Sequence, residues 1–449
     1  MRLFGTDGIR GRINKYPMKP EDVLRVGMAA ATVLRKDLHG RNMVLIGKDT
    51  RLSGYMIESA LTSGICSMGM DVTLVGPLPT PGIAFLTRTL RIDAGIVISA
   101  SHNPFQDNGI KFFSYDGFKL PDSLEKRIED LVVDHALEKS RPKDEQVGKA
   151  FRLDDATGRY IEYIKSTLPK GTTLEGMKIV VDCANGAAYK TTPWLLRELG
   201  AEVVSLNDRP DGININRNCG SVNMAGLQRA VVEHKADIGI AHDGDGDRTL
   251  LCDERGRIVD GDKIMGICAL DMARTGALKG NTVVATVMSN LGLERFLEKH
   301  DIRLLRAKVG DRYVVEKMLE GGFNVGGEQS GHIIFLDLNT TGDGPITAAQ
   351  VLRLMKSSDA PLSKLASRIR LFPQVLMNVE VEKKQDIRAV PEIEGAVKAA
   401  EKKLGSRGRV LVRASGTEPK IRVMLEGEDE KLITRLGKDI SRVIRAKMR

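Results

Sequence analysis

Strand and helix patterns alternate along this chain in three successive rounds, which restricts it to the α/β architectures. In the first round, residues 20–36 carry apolar groups at helical spacing behind Pro20-Glu21-Asp22, a good helix start. Met43–Ile46 is a short apolar run closed by Gly47, residues 53–69 are helical in pattern, and 71–75 and 96–99 have strand composition. The second round begins near Lys178, with strands at 178–181, 203–206 and 238–241 and helices at 188–198 and 224–234. The third begins near Asn281, with strands at 282–287 and 303–306 and helices at 291–300 and 311–319. Such alternation predicts mixed sheets covered by helices. The repeat lies in the order of elements, not in residue identity.

The tail departs from this rhythm. Strand patterns at 375–381, 410–412 and 421–425, a helix after Pro391 and a basic helix from about Glu428 predict a small α+β unit. The expected fold class is therefore α/β: three similar mixed-sheet α/β domains plus a smaller C-terminal α+β domain, which the family resemblance given below implies to be arranged around a central cleft. The expected domains are 1–150, 151–255, 256–362 and 363–449, with linkers in 140–152 and 357–362. A chain of 449 residues has room for them.

Charge narrows the partners. The net charge is +9, and all of it lies in residues 361–449, which hold 21 Lys+Arg against 12 Asp+Glu; the first 360 residues balance at 47 each. Aromatic residues make up only 4% with a single Trp, too few for the stacking platforms of single-strand binders. A basic, non-catalytic nucleic-acid binder is the alternative from another class, and the tail lacks the aromatic interleaving it favours. Five scattered Cys with no C-x-x-C pair predict reduced thiols in a cytoplasmic protein. Apolar stretches reach about seven residues, against the ~20 that span a bilayer. The sequence holds no G-x-x-x-x-G-K-[ST], G-x-G-x-x-G, H-E-x-x-H or G-x-S-x-G motif, so simple P-loop, dinucleotide, zincin and esterase chemistries lose their support.

Four loops carry candidate chemistry. Ser99-Ala-Ser101-His102-Asn103-Pro104 follows a strand, where α/β folds build active sites, and Ser101 is a candidate nucleophile; the same residues also suit an ordinary turn. His242-Asp243-Gly244-Asp245-Gly246-Asp247-Arg248 alternates three carboxylates with glycines. Hard oxygens brought together this closely repel one another and suit Mg²⁺ or Ca²⁺. An EF-hand loop nearly fits, with Glu254 at its twelfth position, but Arg248 stands where glycine is required and the flanks read as strands. Gly326-Gly327-Glu328-Gln329-Ser330-Gly331-His332 offers an acceptor and a donor for vicinal hydroxyls, and a proton carrier in His332. Arg413-Ala-Ser415-Gly416-Thr417-Glu418-Pro419-Lys420-Ile421-Arg422 reads either as a phosphate cradle or as a charged hairpin. Together the loops are the parts of a phosphoryl-transfer enzyme acting on a phosphosugar.

These four loops, in this order, resemble the α-D-phosphohexomutase superfamily over essentially the whole chain. Phe4-Gly-Thr-Asp-Gly-Ile-Arg10-Gly, Ile98-Ser-Ala-Ser101-His-Asn-Pro, Gly327-Glu-Gln-Ser-Gly-His332 and Thr340-Thr-Gly-Asp-Gly344 are similar to its phosphoglucosamine mutase branch. The resemblance implies phosphoserine at Ser101 and one Mg²⁺ per chain on Asp243, Asp245 and Asp247, with the Ser101 phosphate as a further ligand. It implies sugar contacts from Glu328 and Ser330, and a hold on the non-reacting phosphate by Arg413, Ser415, Gly416, Thr417 and Arg422. Arg10 and Arg248 would line the cleft, and Lys111 and His332 are both candidates for proton transfer.

The implied reaction interconverts glucosamine 6-phosphate and glucosamine 1-phosphate through a hexosamine 1,6-bisphosphate and feeds UDP-N-acetylglucosamine synthesis. A phosphomannomutase or phosphoglucomutase with the same chemistry on another hexose is the alternative. Asp311, in Lys308-Val-Gly-Asp311-Arg312, stands where bacterial phosphomannomutases tend to have His, which weakens that alternative. The expected partner is the phosphosugar, with no nucleic acid and no membrane, for a monomer or homodimer.

Overall fold

A computed structural model describes residues 3–5, 7–35, 42–133, 135–382, 390–414 and 420–448. The chain forms two compact units, one of Met1–Val287 with Leu304–Ala366, the other of Met288–Arg303 with Ser367–Arg449.

The first unit contains three sheets. The six-stranded one runs in the order Ile9–Arg12, Asp107–Ser114, Ala94–Ile98, Met43–Lys48, Asp71–Pro77, Ala150–Arg152. Its first three strands pair antiparallel and the rest parallel. Ala94–Ile98 is buried at every position, which explains its continuous apolar run in place of alternation. Helices Pro20–Leu34 and Ser53–Cys66 pack together, and two glycines let them. A Cβ on Gly27 would lie 2.8 Å from the Leu61 carbonyl oxygen, and one on Gly64 would lie 2.2 Å from that of Leu24. Pro20 in the first turn, with Glu21 and Asp22 behind it, starts the first of these helices, since the ring costs no hydrogen bond there and the acids oppose the dipole.

The five-stranded sheet has the order Ile258–Val259, Thr249–Asp253, Ile238–His242, Lys178–Asp182, Glu202–Leu206. The third sheet has the order Arg303–Ala307, Thr282–Thr286, Val325–Gly327, Ile333–Phe335. Each sheet mixes parallel and antiparallel pairs, as the alternating patterns predicted. The strands Ala94–Ile98, Ile238–His242 and Val325–Gly327 each end directly at a candidate loop, so all three loops leave the C-terminal ends of strands.

The second unit is built on three antiparallel strands, in the order Gln374–Glu380, Lys420–Gly427, Gly408–Ala414. Helix Glu430–Lys447 buries Ile433, Leu436, Ile440 and Ile444, one residue per turn, on the core of this unit. Each such side chain contributes about 1.5–3 kcal/mol by leaving water. Asp429 caps the helix, accepting from the Leu432 amide at 3.0 Å. Helix Leu291–Glu298, which the sequence pattern attaches to the third α/β round, belongs to this unit. Its Leu291 amide donates to Glu426 Oε2 at 3.2 Å, and a Cβ on Gly292 would lie 2.2 Å from the Arg370 carbonyl oxygen. Among the described residues, no helix is long and apolar enough to cross a membrane.

Candidate active site

Ser101 occupies a left-handed backbone conformation, φ +50°, just past the buried strand Ala94–Ile98. A non-glycine residue there is strained, and neighbours must hold it. The Ser101 amide donates to Ser99 Oγ at 2.9 Å. Its carbonyl oxygen accepts from Arg51 Nη2 at 2.9 Å and from Asn216 Nδ2 at 2.8 Å. Its side chain is buried, and Oγ donates to Asp243 Oδ2 at 2.5 Å.

The sequence-predicted carboxylates converge. Asp243, Asp245 and Asp247 are all buried and offer oxygens within 4.8 Å of one another. Among the described residues this is the one such group of three or more acidic, His or Cys side chains. Burial, then Asp247 and Asp245, push the Asp243 carboxyl well above its ordinary range. Asp245 Oδ1 and Asp247 Oδ1 are buried with no hydrogen-bond partner. Hard, unsatisfied anionic oxygens at this spacing fit a divalent cation. Gly244 lets the loop pass: a Cβ there would lie 2.5 Å from the Ser101 carbonyl oxygen.

Cations face the trio. Lys111, buried in strand Asp107–Ser114, donates to Asp245 Oδ2 at 2.9 Å and lies 3.5 Å from Asp247 and 3.3 Å from Asp7. Burial works against its charge, but Asp245, Asp7 and Asp247 outweigh it and hold the ammonium well above its usual value. Thr80 Oγ1 also donates to Asp245 Oδ2, at 2.8 Å. Arg248 lies with Nε 3.8 Å from Asp247 Oδ1, and Arg10 pairs with Asp7 at 2.6 Å. Burial lowers the His102 pKa to about 4, helped by the nearby Arg248 and Arg10.

Two buried histidines flank this cluster, and their proton affinities shift in opposite directions. His242 accepts from Thr192 at Nε2, 2.9 Å, and donates from Nδ1 to the Arg248 carbonyl, 3.1 Å. Burial drops its pKa to about 4, so it is a neutral packing residue. His332 has Nδ1 3.6 Å from Asp247 and Nε2 3.6 Å from Asp311. Burial opposes protonation, but Asp247, Asp311 and Glu328 outweigh it, so its pKa is raised. The Gly342 amide donates to Nε2 at 3.1 Å, a bond that favours the neutral ring.

The loop expected to contact sugar is held by hydrogen bonds within it and to its neighbours. Ser330 donates to Glu328 Oε2 at 3.0 Å, so the two predicted contact residues already face each other, half-buried. Gln329 Nε2 lies 3.3 Å from Asp260 Oδ2, and the Glu328 amide donates to the His332 carbonyl at 2.9 Å.

In the second unit, Arg413 and Arg422 are direct partners in antiparallel register, so both side chains leave the same face. Burial, then Arg422, lower the Arg413 pKa, which expresses the cost of two adjacent guanidinium charges. Ser415, Gly416 and Thr417 lie outside the described residues.

Sequence reasoning missed several members of the cluster. Asp7 lies inside a quoted segment, yet only Arg10 was singled out there. Lys119 pairs with Asp7 and reaches Asp311 at 2.6 Å, joining the first and third sheets' loops. Arg51, Asn216 and Thr80 have no local signature at all.

Comparison with known proteins follows this geometry. The chain matches the descriptions "Phosphoglucomutase/phosphomannomutase, alpha/beta/alpha domain I" over residues 1–138, domain II over 158–256, domain III over 260–372 and the C-terminal domain over 376–443. It is 58% identical to a phosphoglucosamine mutase of Syntrophotalea carbinolica over 99% of this chain and 97% of that one. It is 54% identical to that of Nitratidesulfovibrio vulgaris over 100% and 99%. Among solved structures, a phosphoglucomutase/phosphomannomutase family protein of Burkholderia thailandensis shares the fold at TM-score 0.82, 24% identity and 99% and 97% coverage. An N-acetylphosphoglucosamine mutase of Aspergillus fumigatus, solved with GlcNAc-6P and magnesium, shares it at TM-score 0.69, 18% identity and 100% and 96% coverage. With all four domains present in order and such identity along its full length, the chain belongs to the phosphoglucosamine mutases of the phosphoglucomutase/phosphomannomutase family.

Proposed function

We propose that the enzyme interconverts glucosamine 6-phosphate and glucosamine 1-phosphate, with the phosphoryl group carried on Ser101. The observation that carries this reading is the Ser101 hydroxyl, held in a strained loop and bonded to Asp243 at 2.5 Å inside a ring of buried charge. Asp243, Asp245 and Asp247 would hold Mg²⁺ together with the Ser101 phosphate. A bound Mg²⁺ would neutralise charge on the transferring phosphoryl group.

The chain's own residues do the rest. Phospho-Ser101 gives its phosphoryl group to the substrate's O1: the bond from phosphorus to Ser101 Oγ breaks, the bond to O1 forms, the O1 proton leaves to a base, and Ser101 Oγ takes up a proton. After the 1,6-bisphosphate turns over, Ser101 Oγ takes the phosphoryl group from O6, gives up its proton, and O6 is protonated. Lys111 and His332, 2.9 and 3.6 Å from the carboxylate trio, are the two proton carriers within reach. Arg10 and Arg248 hold negative charge at the edge of the trio. Glu328 and Ser330 take sugar hydroxyls, so the ring can present either end to Ser101. Arg413 and Arg422, with Ser415, Gly416 and Thr417, take the phosphate that is not reacting, without regard to the carbon that bears it. In this reading the four domains are 1–150, 151–255, 256–362 and 363–449.

Ser101→Ala should lose turnover by at least ~10³-fold in a purified preparation, as removal of a covalent nucleophile does. Intact-mass analysis should find phosphate on the wild-type chain and none at Ser101 in the variant. Near-normal turnover of the variant overturns the mechanism. Comparing kcat/KM on glucosamine, glucose and mannose phosphates tests the sugar; a preference for mannose or glucose overturns the amino-sugar assignment.

A further inference from the structure

Among the described residues Arg51 is the largest fully buried side chain, and it serves the serine loop. Its Nε donates to Asp49 Oδ2 at 2.7 Å. Nη1 donates to the Pro104 and Asp107 carbonyls at 2.5 and 3.1 Å, and Nη2 to the Ser101 and Asn103 carbonyls, both at 2.9 Å. All five N–H donors of the guanidinium are thus used, four of them on one loop. Asp49 is tied back to that loop, accepting from Ser99 Oγ at 2.6 Å, and Ser99 Oγ accepts from the Ser101 amide. From the opposite side, Asn216 Nδ2 donates to the same two carbonyls, Ser101 at 2.8 Å and Asn103 at 3.1 Å. Arg51 follows a strand of the six-stranded sheet, while Asn216 belongs to the region of the five-stranded one. The two grips therefore meet across the junction of the serine loop and the carboxylate loop.

We propose that Arg51 and Asn216 are positioning residues for Ser101. They hold its backbone at φ +50° and so aim Oγ at Asp243. The inference rests on the reading that Ser101 carries the phosphoryl group. Four N–H donors converge on two carbonyls, and they do so where the backbone is least favourable. A loosened carbonyl would let Ser101 relax toward ordinary φ and swing Oγ away from the trio. A misplacement of about 1 Å in a phosphoryl-transfer geometry lowers the rate by ~10²-fold without touching the sugar or phosphate contacts.

The test uses Asn216→Ala, which removes two donors, and Arg51→Lys, which keeps a cation beside Asp49 but loses the fork. Turnover of glucosamine phosphate, Ser101 phosphate content by intact mass, and melting temperature are measured on the full chain. The expected result is a ~10- to 100-fold fall in kcat per phosphorylated chain, with KM within about threefold of wild type. The double variant should lose less than the product of the two single losses, because both residues hold the same carbonyls. A merely structural role lowers the melting temperature and leaves kcat per phosphorylated chain unchanged, and that outcome overturns the proposal. Should Arg51→Lys not fold, Asn216→Ala decides alone. Ser101→Ala assayed alongside separates the two readings. Its inactivity beside a normal Asn216→Ala sinks only the positioning role, whereas its retained turnover sinks the phosphoserine reading itself.

Discussion

The chain concentrates charge in two places and handles it in opposite ways. Around Lys111, charge is buried and internally matched: Lys111 meets Asp245, Asp7 and Asp247, Lys119 meets Asp7 and Asp311, and Arg10 meets Asp7. Burial pushes the Asp7 carboxyl up, but Lys111, Lys119 and Arg10 hold it well below the usual carboxylate range. In the second unit, two cations, Arg413 and Arg422, stand side by side across a strand ladder, and burial, then the Arg422 charge, lower the Arg413 pKa. Matched charges fix a geometry. Like charges on one face of a ladder repel each other and do not fix a geometry in that way.

Removing Lys111 gives the sharpest test of the matched cluster. Lys111→Met leaves Asp245, Asp247 and Asp7 short of a buried partner. A loss of about 3–5 kcal/mol in unfolding free energy is expected, measured by urea titration. Magnesium should return part of that loss to the variant, since a divalent ion on Asp243, Asp245 and Asp247 supplies the missing positive charge. A variant as stable as wild type, or one indifferent to magnesium, breaks the idea that these carboxylates need a cation.

Asp343 sharpens the comparison, because it is a buried carboxylate compensated mainly by neutral donors. It accepts from the Ile346 amide at 2.8 Å, from Tyr160 at 2.8 Å and from Asn339 at 2.8 Å. Burial nevertheless raises its pKa from 3.8 to about 6, against those bonds. The folded state therefore binds this proton more tightly than the unfolded one. The favourable contribution is fully present below about pH 4 and is lost as pH rises through about 6. The span corresponds to about 3 kcal/mol. Asp343→Asn keeps a cap oxygen for Ile346 but sets an amide N–H against the Tyr160 and Asn339 donors, so its stability difference from wild type should shift toward the variant by up to that amount as pH rises from 4.5 to 7.5. An unchanged difference across this range shows that the donors compensate the charge as fully as Lys111 does.

The matched cluster was only half visible in the sequence. Asp243, Asp245 and Asp247 declare themselves because glycines separate them within five residues. Ser101, Glu328 and Arg413 also sit in short polar runs beside strand patterns. Their partners carry no such mark. Lys111 meets Asp245 from 134 positions away, Asn216 meets Ser101 from 115, and Arg51 meets it from 50. Lys111 entered the expected site only through the family resemblance, and a lone Asn or Arg carries no signal of its own until the fold places it. The same limit applies to helix Leu291–Glu298. Its 3.6 period shows that one face is buried, but not that the cover comes from the tail unit rather than from the third sheet. The three strand-end loops were legible as sites because topology alone puts them at the C-terminal ends of strands.

The smallest stability effect is expected at the arginine pair, and there it carries the most information. Arg413→Gln removes one of two facing cations and relieves the repulsion on Arg422. Unfolding free energy should change by less than about 0.5 kcal/mol, with a small gain as the favoured sign. The KM for the phosphosugar should nevertheless rise by ~10- to 100-fold, since each charge-assisted hydrogen bond to phosphate is worth about 1.5–3 kcal/mol. Inorganic phosphate should stabilise the wild-type chain more than the variant, and a thermal shift series at rising phosphate reads this directly. If Arg413→Gln instead lost several kcal/mol at unchanged KM, the pair would be a structural element of the sheet like the Lys111 cluster. The contrast between oppositely charged partners and adjacent like charges would then be void.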